Sequence, residues 1–185
     1  MLNRAIALSV AAAWLAGCAA PEPAPVAGAV ESRRDTCSRE RLDGILALDT
    51  TDLVGADYYE GPQDRSTEGM TLRAYSRDAT VVLVEGTYFG ELGKTTDRYH
   101  LMSSRDYAVE TTTVMYAQPI YLQPQPEIVE REQSVTYVCG DVPLGDSLTD
   151  RQRAHPENLR EFIAIIERQV GAPVQFGIEP PSVDR

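Results

Sequence analysis

Histidine is scarce in this 185-residue chain, which has only His100 and His155 and no H-x-x-x-H or C-x-x-C spacing. That leaves no metal-ligand set or redox motif, because such sites need ligands grouped at short spacing. His100 alternates with Tyr99 and Leu101, so if those two face the core its imidazole faces solvent. Positive charge is also short: 17 basic side chains stand against 28 acidic ones, a formal net charge of −11. Nucleic acids and anionic headgroups would be repelled, so neither is expected as a partner. No apolar run reaches the roughly 20 residues that a transmembrane helix needs. Acidic residues are scattered, and no pair of them stands out as a general acid and base. Neither a cofactor nor an enzymatic activity is expected.

What is present begins with an address. Met1 to Arg4 carries one positive charge, Ala5 to Leu15 is an uncharged run, and the small residues Ala16 and Gly17 follow. This is the layout of a secretory signal peptide. From Ala19 the chain reads "AAPEPAPVAGAVES", too poor in bulky apolar residues to bury a core. If extended at about 3.1 Å per residue, the segment from Ala19 to Thr36 reaches roughly 55 Å.

Leu15, Ala16, Gly17 and Cys18 together resemble the lipobox of bacterial lipoproteins. The resemblance implies cleavage between Gly17 and Cys18, a diacylglycerol on the Cys18 sulfur and an acylated amino group. Two or more chains hold a protein stably to a bilayer. Ala19 stands where many Gram-negative lipoproteins retained in the inner membrane have Asp, which implies the outer membrane, with the domain on its periplasmic face. The expected organisation is a signal peptide over 1–17, a lipidated cysteine and linker over 18–36, and one domain over 37–185.

With Cys18 taken by lipid, Cys37 and Cys139 form an even pair in an oxidising compartment and are expected to be joined. Leu42, Ile45 and Leu46 recur at helical spacing after Cys37. From Thr71 the period changes to two, and "TLRAYS", "TVVLVEGTYF", "KTTDRYHLM", "DYAVETTTVMY" and "SVTYVC" read as five strands. Their short connections join antiparallel neighbours. The run from Tyr121 to Val129 contains two prolines and reads as a loop or edge. A helix is expected to start at Pro156, carry Leu159, Phe162, Ile163, Ile166 and Val170 as its apolar stripe, and stop at Gly171. The expected class is α+β: an antiparallel meander of about five strands packed by an N-terminal and a C-terminal helix. A small closed β-barrel is the alternative. The stretches "EGTYFGELGKT", "RYHLM" and "TTTVMYAQPIY" resemble a pattern in uncharacterised exported bacterial β-rich proteins, which implies the meander and no function.

Gly145, Asp146, Ser147 and Leu148 resemble the opening block of the G-D-S-L serine hydrolases. That family places the block near the N-terminus and closes with D-x-x-H. Here it comes late, and Asp150 to His155 is D-x-x-x-x-H, so a hydrolase using Ser147 is only an alternative. The segment around Arg153 is similar to the helix of peptidoglycan-binding domains, without the rest of that pattern. Lipobox, acidic β-domain and disulfide together resemble the membrane-bound lysozyme inhibitors, whose S-G-S-G-x-x-Y signature is absent here. An inhibitor of such an envelope-attacking enzyme is a second alternative.

Nine tyrosines outnumber three phenylalanines. Tyr88, Tyr99 and Tyr137 are expected in the core, whereas Tyr58, Tyr59, Tyr116 and Tyr121, at loops and strand ends, are candidates for contact with an envelope protein. The leading expectation is a membrane-tethered envelope lipoprotein with a non-enzymatic binding or structural role.

Overall fold

The computed structural model describes residues 37–58, 68–122 and 126–178. Gly17, Cys18 and Tyr59 lie outside the described residues. Helix α1 (Arg39–Leu46) precedes strands β1 (Val54–Tyr58), β2 (Met70–Arg77), β3 (Thr80–Gly90), β4 (Gly93–Leu101), β5 (Tyr107–Tyr116), β6 (Ile128–Cys139) and β7 (Val142–Leu144). Helix α2 (Asp150–Val170) and a two-residue strand β8 (Gln175–Phe176) follow.

The seven strands β1 to β7 pair in sequence order as an antiparallel meander, and β8 adds in parallel to β3. The class is α+β as expected. Eight strands replace the five, and the sheet is open, with β1 and β7 at its edges. The three additions are short: β1, β7 and β8 have five, three and two residues, too few for a period-two signal.

β6 also starts six residues before the expected "SVTYVC" segment. Its first eight residues, Ile128 to Val135, are exposed on both faces. Nothing there selects an apolar alternation, so "IVEREQSV" carries no strand pattern despite pairing with β5 throughout.

The helices cover opposite faces of one end of the sheet. Leu72, Val84, Tyr99, Leu101, Tyr107, Val109 and Val138 face α2, whose Leu159, Phe162, Ile165 and Ile166 complete the main core. Gly86 lies under the Phe162 ring, where a Cβ would come within 2.7 Å of it. On the other face α1 sets Leu42 and Ile45 against Ala108 and Tyr137. The Cys37–Cys139 disulfide, with S–S 1.99 Å, joins the start of the domain to the end of β6. Tyr99 is fully buried, and Tyr88 and Tyr137 are half-buried against the two cores.

α2 begins six residues earlier than expected. Thr149 caps it, its hydroxyl accepting from Gln152 N while the Gln152 side chain accepts from Thr149 N. The T-x-x-Q spacing was the signal for this reciprocal cap. Pro156 therefore lies inside the helix and costs one backbone bond there.

Two tight turns use left-handed backbone. Asp78 and Ala79 (φ 49° and 64°) join β2 to β3, and Gly140 and Asp141 (φ 61° and 67°) join β6 to β7. Positive φ at both central residues is the I′ hairpin form that matches strand twist. Alanine is ill suited to it, at roughly 1–2 kcal/mol. Ala79→Gly is expected to raise stability by about 0.5–1 kcal/mol, after the flexibility that glycine adds to the unfolded chain is subtracted. Urea denaturation measures this through the midpoint at constant slope.

Candidate binding face

On the α1 side, the half of the sheet that leads toward the β3–β4 turn stands clear of α1. There the register aligns residues into rows. Thr71, Thr87, Thr96, Thr112 and Gln133 are successive cross-strand partners over five strands. Thr87 and Thr96 share a hydroxyl contact of 3.0 Å, and Gln133 Nε2 donates to Thr112 Oγ1 at 3.4 Å.

The next row alternates in charge: Asp57, Arg73, Glu85, Arg98, Glu110. Arg73 lies 3.5 Å from Asp57, and Arg98 lies 3.4 Å from Glu85 and 3.9 Å from Glu110. The Arg98 Nε contact has ion-pair distance without hydrogen-bond alignment. Cross-strand pairs of this kind contribute about 0.2–1 kcal/mol each, nearer the lower figure when exposed. The rows make the face mostly polar, with Val114 and Val135 among them.

A groove of about 640 Å³ runs over this face, lined by Lys94, Thr96, Arg98, Glu110, Thr112 and Gln133, with Arg131 at its outer side. Lys94, the chain's only lysine, and Arg131 flank the buried Val114 in one row. Three cations thus gather on the groove of a chain whose formal net charge is −11. The sheet end adjoining it exposes Leu92, Met115, Ile128 and Val129.

The other face holds a buried ion pair. Asp97 is inaccessible to solvent; its Oδ1 accepts from Thr111 Oγ1 at 2.7 Å and its Oδ2 from Arg151 Nη2 at 2.8 Å. Arg151 also lies over the Tyr88 ring at 5.2 Å, with 39% of its side chain exposed. The pair clamps the first turn of α2 onto β4.

His100, expected in solvent, is 5% exposed, because Ile45 of α1, residues from Leu48 to Leu53 after it and Arg77 at the end of β2 crowd this end of the face. Its Nε2 lies 2.7 Å from Glu110 Oε2. Burial pushes its pKa down, while Glu110 pulls the other way. His155 is fully buried, with Nδ1 3.3 Å from Tyr99 Oη and no partner at Nε2, and burial lowers its pKa too.

Both histidines bind protons less readily folded than unfolded. The unfolded chain then takes up more protons as pH falls below the ordinary 6.5, so stability is full above that value and lost below it. The melting temperature is expected to drop between about pH 7 and about pH 5, and His100→Gln with His155→Gln should flatten that drop.

The hydrolase residues do not converge. Ser147 is exposed in the loop before α2, Asp150 pairs with Arg153 at 2.8 Å, and His155 faces Tyr99. Arg153 also donates to Leu148 O, closing the first turn of α2 on itself. Cys37, Cys139 and Asp106 lie close together, but both sulfurs are in the disulfide and Asp106 accepts from Gly140 N at 2.7 Å.

Of the tyrosines expected at a partner surface, Tyr116 lines the groove and Tyr121 is exposed, donating to Glu91 Oε1 at 3.1 Å. Tyr58 packs against the main core from the end of β1. The groove itself escaped sequence reasoning. Its threonines and charges lie on three strands, β4, β5 and β6, and only the register brings them side by side. No protein-family model, curated protein or solved structure matches the chain.

Proposed function

We propose that this protein is an envelope lipoprotein, anchored in the outer membrane by lipid on Cys18, which binds another envelope component without catalysing a reaction. The observation that carries the binding role is the half of the sheet left clear of α1, with a mostly polar groove on that face and apolar side chains at its end. The tether favours the same half. The chain enters the domain at Cys37, bonded to the far end of β6, and the 11 residue steps from Cys139 back to Ile128 span roughly 36 Å. The free end of the sheet thus lies far from the attachment point.

Crosslinking in intact envelopes, with the anchored chain as bait, is expected to capture one specific partner, and capture should fall when Arg98 and Arg131 are both replaced by Glu. Mass analysis of the mature N-terminus should find lipid on Cys18, and Cys18→Ala should release the protein from membranes. Ester hydrolysis abolished by Ser147→Ala would contradict the non-enzymatic reading.

A further inference from the structure

We infer that the outer edge of β6 is a docking site for an extended segment of a partner protein, added as a further strand and carrying basic side chains at alternate positions. The inference rests on the binding role proposed above and names the partner's chemistry.

The edge is open for most of its length. Among the described residues β7 pairs only with Tyr137, Val138 and Cys139, which leaves Ile128 to Thr136 without a neighbour on that side. The other edge strand, β1, has only five residues.

The direction of the free backbone groups follows from the turn. A two-residue turn with positive φ at Gly140 and Asp141 makes Cys139 and Val142 a hydrogen-bonded pair. Pro143 has no N–H, which agrees with Val138 and Pro143 being the non-bonded pair that follows. Odd-numbered residues of β6 therefore turn their N–H and C=O outward, and even-numbered ones turn them toward β5. Arg131, Gln133 and Val135 present a row of unsatisfied donors and acceptors, the groups that an added strand uses for affinity.

The side chains select the occupant. Glu130 and Glu132 lie on the α2-side face, since Thr136 and Val138 on the same parity are buried there. A partner strand with Lys or Arg opposite those two glutamates gains cross-strand ion pairs on that face. On the other face its side chains meet Arg131, Gln133 and Val135 at the rim of the groove.

A second copy of the chain fits poorly. The antiparallel register that overlaps the whole free edge sets Glu132 against Glu132. Centring on Arg131 instead sets Arg131 against itself and Glu130 against Glu132 twice. Like charges directly opposite one another destabilise a pair. Centring on Gln133 avoids both clashes but leaves Glu130 and Glu132 facing Thr136 and Ser134, without the cations that a basic strand supplies.

The test uses the full chain, purified from membranes in detergent, and two nonapeptides, one alternating Lys with Val and one alternating Glu with Val. The Lys-Val peptide should slow amide exchange at Arg131, Gln133 and Val135 and bind at least tenfold more tightly than Glu-Val. Gln133→Pro removes an outward N–H, which an edge tolerates, together with the exposed Gln133 side chain and its bond to Thr112. Gln133→Ala, which loses the side chain alone, is the control and should bind Lys-Val as the parent does. Gln133→Pro should keep the melting temperature and the protection of the Glu132 and Ser134 amides while weakening Lys-Val binding at least tenfold.

Absence of binding, equal binding of the two peptides, unchanged binding to Gln133→Pro, or a dimer that Gln133→Pro dissolves would each overturn the inference. Partner capture in envelopes uses no peptide. Capture that survives Gln133→Pro would overturn the edge site and leave the tethered binder standing.

Discussion

Arg151→Met is expected to lower the unfolding free energy by about 3 kcal/mol, measurable by urea denaturation at neutral pH. Asp97 is wholly buried, and its carboxylate is held by Arg151 and Thr111. Removing the cation leaves a charge without compensation in the sheet interior, a change that typically costs about 3–5 kcal/mol. The lower figure applies because 39% of the Arg151 side chain is exposed, so water already reaches part of the site.

The reverse deletion should cost less. Asp97→Asn leaves Arg151 free to turn toward solvent, and the double variant Asp97→Asn/Arg151→Met should be more stable than Arg151→Met alone, since a buried charge is no longer stranded. A double variant less stable than Arg151→Met would show that the pair is not the clamp described.

Replacing Cys37 and Cys139 together by alanine is expected to cost about 2–5 kcal/mol. The disulfide closes a sequence separation of 102 residues, spanning α1 and most of the sheet. Chain entropy for a loop of about 100 residues gives up to about 4.7 kcal/mol, and residual structure in the reduced unfolded chain lowers that figure. The loss should concentrate where Cys37 packs. α1 has eight residues, too short to stand alone, and Leu42 and Ile45 reach the sheet beside the disulfide. Amide exchange in the double variant should therefore rise first in α1 and the end of β6, ahead of α2. Uniform loosening of the whole domain would instead indicate a purely global effect.

Most of the meander was legible, because half of each central strand packs on a core. "TVVLVEGTY" and "DYAVETTTV" bury one or both faces where the helices lie, and burial is what writes period two into a sequence. The stripe on α2 was legible for the same reason. Its start was not, because Pro156 carries a strong N-terminal signal that outweighed the Thr149 to Gln152 cap. His100 was misplaced by the assumption that only one face of β4 is covered, whereas this end of the sheet is covered on both.

The candidate binding face was the least legible part. Ile128 to Val135 touches no core, so selection there acts on charge and hydrogen bonding, which leave no periodic trace. The threonine row draws on Thr71, Thr87, Thr96 and Thr112, residues that are unremarkable in sequence and become neighbours through the register alone.

The central claim, that the uncovered half of the sheet is where this tethered protein meets its partner, is tested most directly by site-specific photocrosslinking in living envelopes. A photoreactive residue would replace Thr112 on the groove, Gln133 at the edge, or Ala164 on the exposed side of α2. The account predicts one discrete adduct shared by Thr112 and Gln133 and none from Ala164. An adduct from Ala164 alone, or none from any of the three, would contradict it.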